Sequence, residues 1–293
     1  MGFKEDFLKM KPGPARESFL FNEIVKRGPP KNLVPVTVPG PEGTKITYMV
    51  MSNYINIDGI YIPLSGQTAQ LVANYFGMKL PTPKMSKQIY NAADTKIVAP
   101  PLSAGATING KYYSGKEVIN SGIMMSGQAS NTFSQSINDQ LSKQNKPPTL
   151  IGGHMKDIIQ PQGDPKLLSF QGYYNANGKA TQSGGGSSPH DSEVYSDYSS
   201  GTRLVADKII VTRPDGTKFE TTLDKLMTAP NLSKTISDTG KLTSYPVSST
   251  KLPIKEENKP AMIASNVPAK PQSGRVQFLQ RIDNFLSQFS GIA

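Results

Sequence analysis

The residues of this chain that could do chemistry fall in two short segments, and each holds one of its two histidines. The first reads Gly152, Gly153, His154, Met155, Lys156, Asp157. The second starts at His190 and runs through Asp191, Glu193, Tyr195, Asp197, Tyr198, Ser199, Ser200 and Gly201 to Arg203. Side chains of these types supply metal ligands, general acids and bases, nucleophiles and anion clamps. Three readings are open. In the first, His154, His190 and Asp197 hold a divalent metal such as zinc. Two histidines and a carboxylate leave a position for water, as in catalytic zinc hydrolases. Asp157, Asp191 and Glu193 are the alternative carboxylates. If residues 149–159 form one strand, His154 and Lys156 share a face and Asp157 points away. Asp157 then joins His154 only if the glycine pair bends the chain, which makes Asp197 the better acid. In the second reading, His190 or His154 is a general base and Ser199, Ser200 or Tyr198 the nucleophile or acid. Gly201 and Arg203 stabilise developing negative charge, and Lys156 completes the catalytic set. In the third, the same side chains tie loops: Asp197 and Ser199 cap turns, Arg203 pairs with an acid, and tyrosine hydroxyls satisfy backbone.

The surrounding pattern predicts the elements that must position these groups. Residues 14–27 read as a helix, with Pro14 in its first turn, Gly28 as its stop, and Phe19, Phe21, Ile24 and Val25 inward. Residues 33–38 and 44–51 are β-rich around a Pro-Gly turn, so a hairpin is expected. Residues 54–63 give a strand bent near Gly59. Helices follow at about 67–78 and 82–93, the second with Thr82 as N-cap and Pro83 at its first position. Residues 131–143 repeat Phe133, Ile137 and Leu141 at helical spacing. Residues 149–159 and 167–174 read as strands. Residues 175–189 have the composition of a loop, either a lid or a spacer. Residues 202–213 and 217–222 form the clearest hairpin, across Pro214, Asp215 and Gly216. These elements define an α+β class: antiparallel β-hairpins with two or three packed helices over residues 12–240, with a sub-boundary near 100–148. A Pro/Lys-rich linker at 241–274 and an amphipathic docking helix at 275–290 complete the organisation. That helix presents Leu279, Ile282, Leu286 and Phe289 on one face.

Composition restricts the function. Among 293 residues there are 32 Lys and Arg against 22 Asp and Glu, with no Cys and no Trp. These values exclude a thiol enzyme, a disulfide scaffold, a Cys-ligated zinc site and a coiled coil. No apolar run reaches the roughly 18 residues of a membrane-spanning helix. The formal charge of +10 favours an acidic partner such as an anionic envelope polymer. The charge is diffuse, without a basic run, which argues against sequence-specific nucleic-acid binding. The N-terminus has no apolar Sec-type segment, so synthesis in the cytoplasm is expected, with particle association or non-classical export if the protein works outside. Gly184, Gly185 and Gly186 make no phosphate loop, because no Gly-Lys-Ser/Thr follows.

Two segments carry a resemblance. Gly153, His154, Lys156 and Asp157, followed by His190, Tyr195, Asp197, Tyr198, Ser199, Gly201, Arg203, Leu204 and Val205, are similar to paired segments of an uncharacterised group of bacterial proteins. Residues 80–85 and 35–38 are similar too, so the resemblance covers roughly residues 15–240. It implies work at the cell envelope and no established reaction. Many members of that group carry His where this chain has Ser200, which puts their chemistry at that position in doubt here. Residues 200–204 also resemble a stretch of the L,D-transpeptidases but lack its His and essential Cys, so that activity is excluded. The expected function is a hydrolase of a cell-envelope polymer such as peptidoglycan. The alternative is a structural component of a phage-like or exported particle, anchored by residues 275–290.

Overall fold

The computed structural model describes residues 2–98, 101–144, 147–182 and 187–247. Most of the expected linker and the whole helix at 275–290 lie outside them. The class is α+β, with antiparallel sheets and eight α-helical segments among the described residues.

The first sheet follows from strict two-residue alternation. Val36, Val38, Ile46, Tyr48 and Val50 point inward from Leu33–Pro39 and Lys45–Met51. Thr37 and Thr47 face out, directly opposite each other, with their hydroxyls 2.8 Å apart. The hairpin Val205–Thr212/Lys218–Thr222 adds to the other edge of Lys45–Met51. Met78–Lys79 pairs with the start of Val205–Thr212. Met85 and Ile89 of the helix Pro83–Ala92 cover this sheet, as do Leu223, Leu226, Leu232 and Ile236. Thr82 Oγ1 accepts the Met85 amide at 3.1 Å, and Pro83 opens the helix.

The second sheet runs Ala180–Gln182, Leu167–Tyr174, Lys156–Ile158, Ser200–Gly201, with Ser187–Asp191 also paired to Leu167–Tyr174. Its pairings are antiparallel except Lys156–Ile158 with Ser200–Gly201, which is parallel. Phe3 and Phe7 of Phe3–Lys9, Leu20 and Ile24 of Pro14–Lys26, and Ala69 and Val72 of Gly66–Tyr75 share a core with Ile158 and Leu168. A third cluster gathers Phe133 and Ile137 of Gly127–Ser142 with Ile108, Val118, Tyr54, Tyr61 and Tyr198.

Three elements differ from the sequence reading. Residues 54–63 fold back on themselves: Asn56–Ile57 pairs with Ile60–Tyr61 through Asp58 and Gly59, both at positive φ. Two central residues with positive φ make a tight reversal, not a bend. Residues 149–159 are broken into Ile151–Gly152 and Lys156–Ile158, with Gly153 at φ +97° between them. Residues 175–189 hold sheet rather than a structureless loop, since Ala180–Gln182 and Ser187–Asp191 both pair with Leu167–Tyr174. Packing also extends past the expected domain limits. Phe3 and Phe7 are buried, and Tyr245 accepts the Ser169 amide and donates to the Ile159 carbonyl, each at 2.9 Å.

Candidate functional site

The parallel pairing of Lys156 with Ser200, and of Asp157 with Gly201, joins the two chemistry-bearing segments side by side. Neighbouring residues on a strand face opposite ways. Lys156 and Asp157 therefore seed two separate polar clusters.

Asp197 is the hub of the first. It is buried and pairs with the Lys156 ammonium. Its Oδ2 accepts the Tyr195 hydroxyl at 2.9 Å. Its Oδ1 accepts the Ser199 amide at 2.9 Å and the Ser199 hydroxyl at 2.8 Å. The Ser200 hydroxyl lies 3.4 Å from the same oxygen. Burial works to raise the Asp197 pKa, but Lys156 and the Ser199 donors outweigh it and hold the carboxyl below its ordinary value. The Lys156 ammonium also sits 4.6 Å above the Phe170 ring. On the outer side, the exposed His190 stacks flat on Tyr195, with ring centroids 3.7 Å apart. Burial and then Lys156 lower the His190 pKa, against a weaker raising pull from Asp197. At neutral pH its imidazole is uncharged. Burial and Asp197 raise the Tyr195 phenol, which stays protonated.

The second cluster is interior. Gly153 turns the chain so that His154 and Asp157 meet the same neighbours. A Cβ at Gly153 would come within 2.9 Å of the Ile97 carbonyl oxygen, so the close approach as well as the positive φ requires glycine. His154 is fully buried, 4.9 Å from the Tyr54 ring and 5.1 Å from the Tyr61 ring. Burial first, and Arg203 second, push its pKa down to about 3. The Arg203 guanidinium stacks 4.2 Å over Tyr54 and donates to the Ile151 carbonyl at 2.5 Å. Asp157 accepts the Ser86 hydroxyl, and burial raises its pKa against the opposing pull of Arg203.

The set His154, His190 and Asp197 is thus divided. His190 and Asp197 share the first cluster, while His154 stands in the aromatic cage of the second. Among the described residues, no group of three His, Cys, Asp or Glu side chains is placed to hold a metal ion. Ser199 and Ser200 are buried against Asp197. Tyr198 turns away from it: its hydroxyl accepts the Leu102 amide at 3.0 Å, and its ring packs 4.9 Å from Phe133. A Cβ at Gly201 would meet Tyr54 at 2.7 Å and Met155 at 2.8 Å, so close packing explains this glycine. Arg203 donates to the Ile151 carbonyl and stacks on Tyr54, and its charge also acts on Asp157.

Two participants escaped the sequence reading. Ser86 completes the interior cluster. Arg16, fully buried, donates to Ser196 Oγ at 2.5 Å and to the Met125 carbonyl, and lies 3.5 Å from Glu17. Glu17 in turn accepts the Ser65 amide at 2.9 Å. A signal existed for this group, since Arg16, Leu20 and Ile24 recur every fourth residue and so share the buried stripe of their helix. Compared with protein families, curated proteins and solved structures, the chain matches none. No helix among the described residues is long and apolar enough to cross a membrane.

Proposed function

We propose that this protein is an acid–base hydrolase of a cell-envelope polymer, acting at the outer edge of the Asp197 cluster, with peptidoglycan as the substrate to test first. The observation that carries the reading is a neutral, exposed imidazole beside a lysine whose partner carboxylate is held ionised in the interior. A base of lowered pKa is free to take a proton at neutral pH. His190 removes a proton from water as the water oxygen attacks an amide carbonyl. The Lys156 ammonium faces the negative charge that develops on the carbonyl oxygen. His190 then returns the proton to the leaving amine as the C–N bond breaks. Asp197 positions Lys156 and Tyr195, and Tyr195 supports the imidazole by stacking. An amide fits better than a glycosidic bond, which calls for two carboxyl groups in acid and base roles. Asp197 is already engaged by Lys156. Water is the nucleophile in this scheme, because the Ser199 and Ser200 hydroxyls are buried against Asp197.

The full burial of Asp197, Ser200 and Arg203 favours a second reading, in which the clusters are architectural and the protein is a non-enzymatic component of a phage-like or exported particle. Release of soluble fragments from purified sacculi separates the two. Wild type should release fragments, His190→Ala should lose about 10²–10⁴-fold, and a chelator should change nothing. Loss of release with the chelator would replace the acid–base scheme with a metal-dependent one. Absence of release by folded wild-type protein would leave the particle reading.

A further inference from the structure

On the opposite face of the second sheet from the Asp197 cluster lies a cleft of about 620 Å³, between the helix Pro83–Ala92 and the turn that precedes Ala180–Gln182. The register separates the two sites. Gln171, directly opposite Asp157, lines the cleft, whereas the next residue Lys156 turns to Asp197. Three lysines line it, Lys84, Lys87 and Lys179, against a single acid, Asp238. Asp238 lies 3.2 Å from Lys84. Among the described residues, Lys87 and Lys179 form no ion pair, and both are exposed. Lys84 and Lys87 belong to the first turns of their helix, whose amide ends add positive potential. Tyr174, buried, and Gln171 also line the cleft. The Tyr174 ring stacks on Tyr90 at 3.4 Å, and its hydroxyl neighbours Gln171.

We propose that this cleft binds a phosphorylated carbohydrate, a sugar or polyol carrying a phosphate monoester or diester. Lysine ammoniums bind phosphate as compact point charges, and three of them line this cleft. The Gln171 amide and the Tyr174 hydroxyl, both in residues that line the cleft, match the hydroxyls of a sugar or polyol. The volume lies in the range of small-molecule sites. A free sugar phosphate and a phosphate-linked envelope polymer present the same chemistry, and the test distinguishes them. The inference is independent of the hydrolase reading, because neither probe contains an amide bond.

The experiment is calorimetric titration of the full chain with glucose 6-phosphate, poly(glycerol phosphate), glucose and inorganic phosphate. At least one phosphorylated probe should bind saturably, about tenfold or more tighter than glucose or inorganic phosphate. Lys87→Glu with Lys179→Glu should weaken it about tenfold or more. The same charge reversal at two lysines outside the lining, Lys45→Glu with Lys218→Glu, should leave it unchanged. All four positions are exposed, and unchanged urea midpoints would confirm that the variants fold. Binding of the monomer identifies a soluble ligand, and binding of the polymer alone identifies an envelope ligand. The proposal is overturned if neither phosphorylated probe saturates, if inorganic phosphate binds as tightly, or if both double variants weaken binding equally.

Discussion

Asp197 keeps its charge inside the protein because Lys156 and the Ser199 donors meet it there, in place of water. A buried charge that loses its partner is costly, about 3–5 kcal/mol. Lys156→Met should therefore destabilise the fold by about that amount, measured by urea unfolding at neutral pH. The direction of the Asp197 shift sets its acid behaviour. Its folded pKa lies below 3.8, so its contribution is present above that value and is lost as pH falls through the folded pKa. His154 acts over a higher window. The unfolded chain takes a proton near 6.5, whereas the folded chain refuses it until about 3, so stability falls as pH drops between these values. Asp157, with its raised pKa, works in the opposite direction on the acid side. His154→Gln should flatten the loss of urea midpoint between pH 6.5 and 3, and an unchanged slope would refute the buried neutral imidazole. For His190, activity on sacculi should rise through a pKa below 6.5 and stay level through neutrality.

At the scale of elements, the hairpins and caps were readable because their signals are local. Alternation in residues 33–51, the Pro-Asp-Gly turn at 214–216 and the Thr82–Pro83 start each depend on neighbours within a few positions. Thr82→Ala should cost about 1 kcal/mol through its lost cap. The glycine-marked strands differ from their sequence pattern because a glycine is compatible with a bend, a reversal or a break. Which of these occurs depends on what lies across the space, such as the Ile97 carbonyl facing Gly153. Gly153→Ala should cost about 1–3 kcal/mol, since positive φ and the close contact both oppose it. Thermal unfolding would measure it, and a loss within about 0.5 kcal/mol would count against the bend as a designed feature. The Gly/Ser-rich composition of 175–189 read as loop, yet backbone pairing with Leu167–Tyr174 organises Ala180–Gln182 and Ser187–Asp191. Backbone hydrogen bonds carry no side-chain signature.

Over the whole molecule, polar groups buried between helix and loop act as fasteners. Arg16 and Glu17 link the helix Pro14–Lys26 to Ser196 and Ser65, next to the candidate site. The pair Arg27–Glu23 at the end of the same helix is shorter, at 2.6 Å, but lies partly exposed at the surface. Arg16→Ala should cost about 3–5 kcal/mol and Arg27→Ala about 0–1 kcal/mol. Equal losses in chemical denaturation would contradict this account. The loop that carries Asp197 is tied from two further sides. The Tyr198 amide donates to the Met124 carbonyl, and the Tyr198 hydroxyl accepts the Leu102 amide.

By itself the sequence determined the α+β class, the main hairpins, the capped helices and the two segments that hold the polar chemistry. Periodicity and turn chemistry are properties of a few adjacent residues, and they survive without a fold. The tertiary structure alone decided which polar groups meet. One parallel pairing, Lys156 with Ser200, sets Asp197 against Lys156 and leaves His154 on the far side with Tyr54 and Arg203. Residues distant along the chain have no spacing to read, and two-residue strands leave no periodicity to find. Their partnership arises only when the cores around them close.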